Sequence, residues 1–127
     1  MCGRFIATIS REILEQLYQV DINEEVVPRY NIAPSQYALV LRINPFSGKR
    51  ELASLKWGLI PGWAKQISAR LTFINARAES VAFKPAFKRA FQYRRALVPA
   101  SGFYEWKRTT GIKQPYLIHR AGGRPFS

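Results

Sequence analysis

Apolar and polar residues alternate along this chain in short blocks, which predict short strands and two modest helices. Ser10 is a good N-cap for a helix over about residues 11–20, because apolar side chains recur there at helical spacing and Glu12 lies in the first turn. A second helix is predicted over about 84–93, where Pro85 suits the first turn.

The second predicted helix has an aromatic face. Phe83, Phe87 and Phe91 recur every four residues, while Lys84 and Lys88 lie roughly opposite. We interpret this pattern as an amphipathic helix that packs its Phe side chains on the core and exposes its Lys side chains. These aromatic residues are therefore not assigned to base stacking.

Strands account for most of the remaining elements. They are predicted at residues 2–6, 37–43, 51–57, 71–74, 96–99, 102–108 and 114–120. Pro28 and Pro34 argue against regular structure in "VVPRYNIAPSQ" (26–36), and Gly-containing segments at 44–50 and 109–111 are typical of turns.

The order of these elements predicts the fold class. Many strands joined by short turns, with two helices, favour a single α+β domain over residues 1–127. We expect a curved, mainly antiparallel, barrel-like sheet with flanking helices. Because "RPFS" (124–127) reads as the start of another strand, we expect this sheet to be incomplete.

Composition narrows the class of protein. A chain of 127 residues with 47% hydrophobic residues is long and apolar enough for a folded core. One cysteine excludes an intrachain disulfide and a multi-cysteine zinc site. The sequence has no secretory signal and no apolar run of about 18 residues, so we expect a soluble protein of a reducing compartment.

Charge adds a class of partner. The formal net charge is +12, and its distribution is uneven. Residues 1–25 carry two basic and five acidic side chains, whereas residues 26–127 carry 18 basic and three acidic ones. Such a field attracts polyanions, of which nucleic acid is the commonest, although a solubilising surface would look the same.

Cys2 is the most reactive candidate. If Met1 is removed, residue 2 carries both a free α-amine and a thiol, and each is partly deprotonated near neutral pH. Such an aminothiol condenses with an aldehyde to an imine and then closes a thiazolidine ring. A second use of Cys2 is as a peptidase-type nucleophile with its own amine as base, and the alternative to both chemistries is a small buried residue.

Two further segments carry polar candidates. Glu105 lies in "GFYEWK" among apolar and aromatic neighbours, a setting that suits proton transfer near neutrality, although pairing with Lys107 or Arg108 is an equal alternative. Asn75 and Arg77 in "NARAES" share a face if that segment is extended, and could hold a phosphate or sugar oxygen. Alternatively, Asn75 leads into a helix and Glu79 pairs with Arg77.

Two aromatic or imidazole side chains complete the candidates. Trp63, between Gly62 and Ala64 in a Gly/Pro-punctuated loop, suits a wedge beside a base or a plug on the core. His119 is the only histidine, and its place in a strand beside a basic turn favours a structural or surface role.

Together these segments resemble the SOS-response-associated peptidase (SRAP) family. The resemblance rests on five motifs in order: "MCGRF" (1–5), "RYNIAPSQ" (29–36), "WGLIPGWAK" (57–65), "NARAES" (75–80) and "ALVPASGFYEWK" (96–107). The segment "QPYLIHRAGGRPF" (114–126) is also similar to the family's next segment, so the resemblance covers essentially the whole chain.

The resemblance implies a function and roles for catalytic residues. Family members bind single-stranded DNA at abasic sites, and their N-terminal Cys forms a thiazolidine crosslink with the ring-opened sugar. On matching positions, Cys2 would be the crosslinking residue, Asn75 would position its amine and the sugar, and Glu105 would transfer protons. The family name also implies a thiol peptidase or autopeptidase as an alternative. If the protein crosslinks to DNA, the resemblance implies that the enzyme is classified with the lyases.

The resemblance also implies roles in DNA binding. Arg4 and Arg77 would bind flanking phosphates, while Pro34 and Trp63 would line the channel and Trp63 would block continued duplex. An abasic nucleotide has no base to read, so phosphate contacts must carry affinity. The implied protein belongs to the SOS response and DNA repair, acts in the cytoplasm at the nucleoid, and needs no metal, cofactor or membrane.

One departure qualifies this picture. Family members continue through further strands, including a motif that begins with a catalytic histidine, and His119 does not match that motif. We therefore expect the chain to be the N-terminal portion of the domain, with slower sugar-ring opening. A non-catalytic fragment that binds single-stranded nucleic acid remains a further alternative.

Overall fold

Two antiparallel sheets form the framework of the protein, which is described by a computed structural model over residues 3–65, 72–108 and 110–127. The strands are β1 (Phe5–Ala7), β2 (Arg29–Ile32), β3 (Tyr37–Ile43), β4 (Arg50–Lys56), β5 (Ala96–Leu97), β6 (Gly102–Arg108) and β7 (Lys113–Ile118). The helices are α1 (Arg11–Tyr18), α2 (Ala78–Val81) and α3 (Pro85–Tyr93), and a 3₁₀ turn follows at Ala121–Gly123.

The first sheet has four strands in the order β2-β1-β6-β7. Phe5 pairs with Ile32 on one side and with Phe103 on the other, so β1 is central although it has only three residues. Gly102 begins β6 where a Cβ would lie 2.9 Å from the Ile118 carbonyl oxygen, so the close approach of β7 requires glycine. We refer to these four strands as the first sheet.

The second sheet has three strands in the order β4-β3-β5. The β3–β4 hairpin pairs in continuous register from Tyr37 with Lys56 to Ile43 with Arg50. Its turn is closed by the Asn44 side-chain oxygen, which accepts hydrogen bonds from the backbone amides of Phe46 and Ser47. The turn ends at Gly48, whose φ of 69° favours glycine.

The core consists of two clusters. One, below α1 and the second sheet, contains the buried residues Ile9, Leu14, Val20, Ile22 and Leu52. The other contains Phe5 and Ile32 of the first sheet together with Ala38 of β3 and Ala100. Ser127 hydrogen-bonds the Tyr18 hydroxyl, and Phe126 packs edge-on against Phe103. The last two residues therefore contact side chains that border each of the two clusters.

The helix after Ser10 is confirmed. The Ser10 hydroxyl accepts a hydrogen bond from the Ile13 amide, and the helix ends at Tyr18, before Gln19 in the left-handed conformation (φ 53°). Arg11 then holds the following loop, because its guanidinium donates to the carbonyls of Ile22 and Glu24. The second predicted helix is also confirmed as α3, with Pro85 in its first turn.

Three details of the expected elements are wrong. Residues 29–32 form strand β2, because Pro28 and Pro34 flank this edge strand and do not interrupt its ladder. Of the strand expected at 71–74, Leu71 lies outside the described residues, and Phe73 forms only an isolated bridge with Leu59.

The third correction concerns the aromatic face of α3. Only Phe87 is packed as expected, with its ring 5.2 Å from that of Phe73. Phe83 precedes α3 and is 78% exposed, and Phe91 is also exposed. Lys84 and Lys88 are exposed as predicted.

The predicted α+β class with a curved antiparallel sheet is confirmed. The two sheets do not close on each other in the described part of the chain. Among the helices described, none is both long and apolar enough to cross a membrane.

Candidate functional site

Cys2 lies outside the described residues, so its surroundings begin with Arg4. The Tyr104 amide donates a hydrogen bond to the Arg4 carbonyl oxygen (2.9 Å), which continues the pairing of β1 with β6 beyond Phe5. The Arg4 guanidinium donates to the side-chain oxygen of Asn31 on β2 (2.9 Å). Arg4 is therefore held from both sides, by β6 and by β2, the two strands that flank β1.

Glu105 lies on β6 between β1 and β7, directly after Tyr104. It is partly buried and its cross-strand neighbour on β7 is Tyr116. The Tyr104 hydroxyl donates to the Tyr30 carbonyl oxygen (3.1 Å), which adds a link from β6 to the edge strand β2. Tyr104 bonds the Arg4 backbone, so Glu105 is the next residue along β6 after the one that contacts the N-terminal segment.

Asn75 is brought to the same part of the molecule by Trp57. The Trp57 indole N–H donates to the Ile74 carbonyl oxygen (2.9 Å), next to Asn75 in the chain. The indole ring also packs edge-on against Phe5, with 5.6 Å between ring centroids. The Trp57 side chain thus links the segment of Asn75 to β1.

Pro34 lies in the turn between β2 and β3, and this turn is also bound to Trp57. The Ser35 amide donates to the Trp57 carbonyl oxygen (2.9 Å), and the Trp57 amide donates to the Gln36 carbonyl oxygen (2.8 Å). Ser35 has φ 68°, a left-handed conformation that these bonds maintain. The position of Pro34 is therefore set by the same residue that holds Ile74.

Arg77 is the N-cap residue of α2 and its side chain is exposed. Its carbonyl oxygen accepts hydrogen bonds from the Ser80 and Val81 amides. Among the described residues no ion pair joins Arg77 to Glu79, so the pairing considered from the sequence is not formed. Asn75 does lead into a helix, as the other alternative held.

Trp63 and His119 do not belong to the links through Trp57. Trp63 is 58% exposed and lines an open groove with α3. His119 follows β7, is exposed, and its Nδ1 lies 3.0 Å from the Arg120 carbonyl oxygen. In the parts of the chain that the structure describes, no group of three His, Cys, Asp or Glu residues is placed to hold a metal ion.

Two residues of this region were not singled out from the sequence. Trp57 connects β1, the Pro34 turn and the Asn75 segment, and Asn31 holds the Arg4 guanidinium. Both lie inside motifs that carried the family resemblance, "WGLIPGWAK" and "RYNIAPSQ". The signal that could have identified them is the hydrogen-bonding capacity of their side chains. Trp57 carries an indole N–H and Asn31 carries an amide, and neither motif offers a local partner for these groups.

Comparison with known proteins places this arrangement in a family. The model of the SOS response associated peptidase (SRAP) family matches residues 1–127. This chain belongs to the SRAP family.

Individual SRAP relatives carry names that bear on function. The abasic site processing protein YoaM of Bacillus subtilis (strain 168) is 46% identical over 113 residues, which are 85% of this chain and 48% of that protein. The abasic site processing protein YedK of Escherichia coli (strain K12) is 36% identical over 132 residues, covering 99% of this chain and 57% of that protein.

A solved structure shares the SRAP fold of this chain. The crystal structure of a phage-related protein from Bordetella bronchiseptica superimposes with a TM-score of 0.77 at 30% identity, covering 98% of this chain and 57% of that one. The chain spans about half the length of the relatives it matches.

Proposed function

We propose that the protein binds single-stranded DNA at abasic sites and forms a covalent crosslink through Cys2 after removal of Met1. The observation that supports the proposal is the set of links through chain neighbours of the candidate residues. Trp57 packs on Phe5, next to Arg4, and bonds the Ile74 carbonyl, next to Asn75, while Tyr104, next to Glu105, bonds the Arg4 backbone. The names of YoaM and YedK, both abasic site processing proteins, support the same lesion as substrate.

The reach of the chain connects Cys2 to these groups. Two residues span at most about 7 Å, so the Cα of Cys2 stays close to that of Arg4 in any conformation. Arg4 is bonded to Tyr104, next to Glu105. This connection supports the proposed place of the Glu105 carboxylate near the amine and thiol of residue 2.

The proposed reaction has two steps. The free Cys2 amine attacks the aldehyde carbon of the ring-opened sugar, and the adduct loses water to give an imine. The Cys2 sulfur then adds to the imine carbon while the nitrogen takes up the thiol proton, which closes a thiazolidine ring. No oxidant or reductant is consumed.

Glu105 and Asn75 have separate roles in this scheme. Glu105 donates a proton to the departing hydroxyl during imine formation and accepts it back on reversal, as a general acid and base. Asn75 positions the amine and a sugar oxygen through its amide. On these roles the protein is a DNA–protein crosslinking enzyme related to lyases.

The DNA strand is bound mainly through its phosphates. Arg4 and Arg77 are the proposed phosphate ligands, and Arg77 is exposed at the start of α2. Pro34 and Trp63 line the proposed path of the strand, with Trp63 blocking duplex. The net charge of +12 supports a polyanionic partner because the lesion offers no base for readout.

A denaturing gel tests the proposal. Purified protein is incubated with single-stranded oligonucleotides that contain or lack one abasic site. We expect a heat-stable adduct that requires both the abasic site and Cys2, and its absence from Cys2→Ala. Glu105→Gln should slow its formation by about 10²–10⁴-fold, the usual contribution of general acid–base catalysis.

The matched control is Glu51→Gln, which makes the same change on the second sheet and should leave the adduct rate unchanged. Binding of the abasic strand without any adduct from the unaltered protein would contradict the proposal. Cys2-dependent cleavage of a peptide without DNA would contradict it in favour of a thiol peptidase. Intact mass with Met1 retained would exclude both Cys2 chemistries.

A further inference from the structure

An open groove runs between the loop before residue 66 and α3, away from the links made by Trp57. It is lined by Gly62, Trp63, Pro85, Ala86, Arg89, Ala90, Tyr93 and Arg94. The α3 residues recur at intervals of three and four, so they form one face of the helix. This face is distinct from Phe87, which packs on Phe73.

Two aromatic rings are exposed in this groove. Trp63 is 58% exposed and Tyr93 is 72% exposed, although rings of this size are usually buried. Gly62, Ala86 and Ala90 contribute little side-chain volume, so the groove stays open beside the rings. The rings are thus available to a ligand with a flat, polarisable surface.

The charges that line the groove are all positive. Arg89 and Arg94 are exposed, and in the described part of the chain neither is paired with a carboxylate. Among the residues described around the groove, none that lines it is acidic. A ligand that complements it therefore carries regularly spaced anions together with flat rings.

We propose that this groove binds a segment of single-stranded nucleic acid, with bases stacked on Trp63 and on Tyr93 and phosphates paired with Arg89 and Arg94. Duplex DNA fits less well, because its base faces are already stacked on one another. An acidic peptide would satisfy the arginines and leave the rings without partners. The inference rests on the proposed function, since the bound segment would be part of the lesion-bearing strand.

The length of the groove determines how long an oligonucleotide probe must be. The nine residues of α3 rise about 13.5 Å. At 3.4 Å per stacked nucleotide, about four nucleotides cover that length. A 20-nucleotide oligothymidine without a lesion therefore reaches the groove and avoids the crosslinking reaction altogether.

The salt dependence of oligothymidine binding tests the arginines. In the double variant Arg89→Gln/Arg94→Gln the slope of log Kobs against log salt should become about 1.4 shallower, because two phosphate contacts on a single strand are lost. The matched control is Lys49→Gln/Arg50→Gln, which removes the same charge at the exposed β3–β4 turn and should retain the slope.

Tyr93→Ala tests stacking separately from charge. We expect binding to weaken by about 5- to 150-fold, the range that loss of one base–aromatic stack implies, with the salt slope unchanged. Thermal unfolding of each variant confirms that it is folded. Equal loss in the groove and turn double variants, or no effect of Tyr93→Ala, would overturn the inference.

Three further outcomes separate this inference from the proposed function. Groove-dependent oligothymidine binding without any abasic adduct from the unaltered protein would contradict the proposed function and support the groove. An abasic adduct together with unchanged oligothymidine binding by the groove variants would contradict only the groove. Binding of polyglutamate through Arg89 and Arg94, with no binding of oligothymidine, would also overturn the groove inference.

Discussion

The first and second sheets differ in the distance along the chain between the residues that hold them together. In the second sheet, Glu51 accepts hydrogen bonds from Arg42 and Asn44, nine and seven residues away. In the first sheet, Arg4 contacts Asn31, and Thr8 donates both its amide and its hydroxyl to Ser101, 93 residues away. The second sheet is built on the local β3–β4 hairpin, to which β5 adds one short long-range pairing. In the first sheet, β1 joins β2 and β6, which lie far apart in the chain.

This difference suggests that the second sheet is a scaffold and that the first sheet carries the candidate site. Each oxygen of the Glu51 carboxylate accepts a hydrogen bond from its own hairpin, and none of the candidate residues that the structure describes lies on the second sheet. Arg4 and Glu105 lie at or on the first sheet, and Asn75 reaches it through Trp57. These residues come from distant parts of the chain and are connected through long-range pairing at the first sheet, so we expect the first sheet to determine the geometry of the candidate site.

The largest effects are expected from paired core truncations. Ile32 is 1% exposed in the first sheet and Leu14 is 3% exposed in the other cluster, so each change to Ala should lower the free energy of unfolding by about 2–5 kcal/mol. Urea titration measures both losses. Under conditions where both variants are folded, Ile32→Ala should slow adduct formation and Leu14→Ala should leave it unchanged.

An equal loss of adduct rate per folded molecule in Ile32→Ala and Leu14→Ala would contradict the contrast between the two sheets. The site would then depend on both clusters, and the assignment of the second sheet as scaffold would be wrong.

Trp57→Phe should have an intermediate effect. It removes the hydrogen bond to the Ile74 carbonyl oxygen and keeps an aromatic ring beside Phe5, so we expect a stability loss of about 1 kcal/mol. Because Asn75 would lose its fixed position, adduct formation at saturating abasic DNA should slow by about tenfold or more. Single-turnover gels measure this rate.

The control for that change is Trp106→Phe, which alters an exposed indole further along β6. Its adduct rate should match that of the unaltered protein. An unchanged rate in Trp57→Phe would show that the bond to Ile74 does not position Asn75.

The smallest expected effect is confined to the second sheet. Hydrogen bonds from Asn44 and from Arg42 hold the pKa of the Glu51 carboxyl below its ordinary value. Glu51 therefore contributes stability above about pH 4.3, its ordinary pKa when unfolded, and this contribution is lost as the pH falls through the lower pKa of the folded state.

Glu51→Gln should accordingly be less stable than the unaltered protein at pH 6, and the difference should shrink by pH 3. Urea titrations at the two pH values measure it. A difference that stays constant between these pH values would show that ionised Glu51 does not stabilise the hairpin.

Local sequence was a good guide to elements whose signals are local. Ser10 caps α1, Pro85 begins α3, and the β3–β4 hairpin forms across a turn that Asn44 closes. Predictions from local sequence were wrong where tertiary contacts determined the structure. Residues 29–32 pair with β1 despite the flanking prolines, and the exposure of Phe83 follows from its position before α3 begins.

By itself, the sequence determined the α+β class, the excess of positive charge, the family motifs and the candidate residues Cys2, Asn75 and Glu105. These are properties of composition, periodicity and short motifs, each contained in a few neighbouring residues. Tertiary structure alone decided that Trp57 joins β1, the Pro34 turn and the Asn75 segment, that Asn31 holds Arg4, and that Trp63 faces α3. Such contacts join residues whose separation in the chain carries no local signal, because they form only after distant strands have paired and the core has closed.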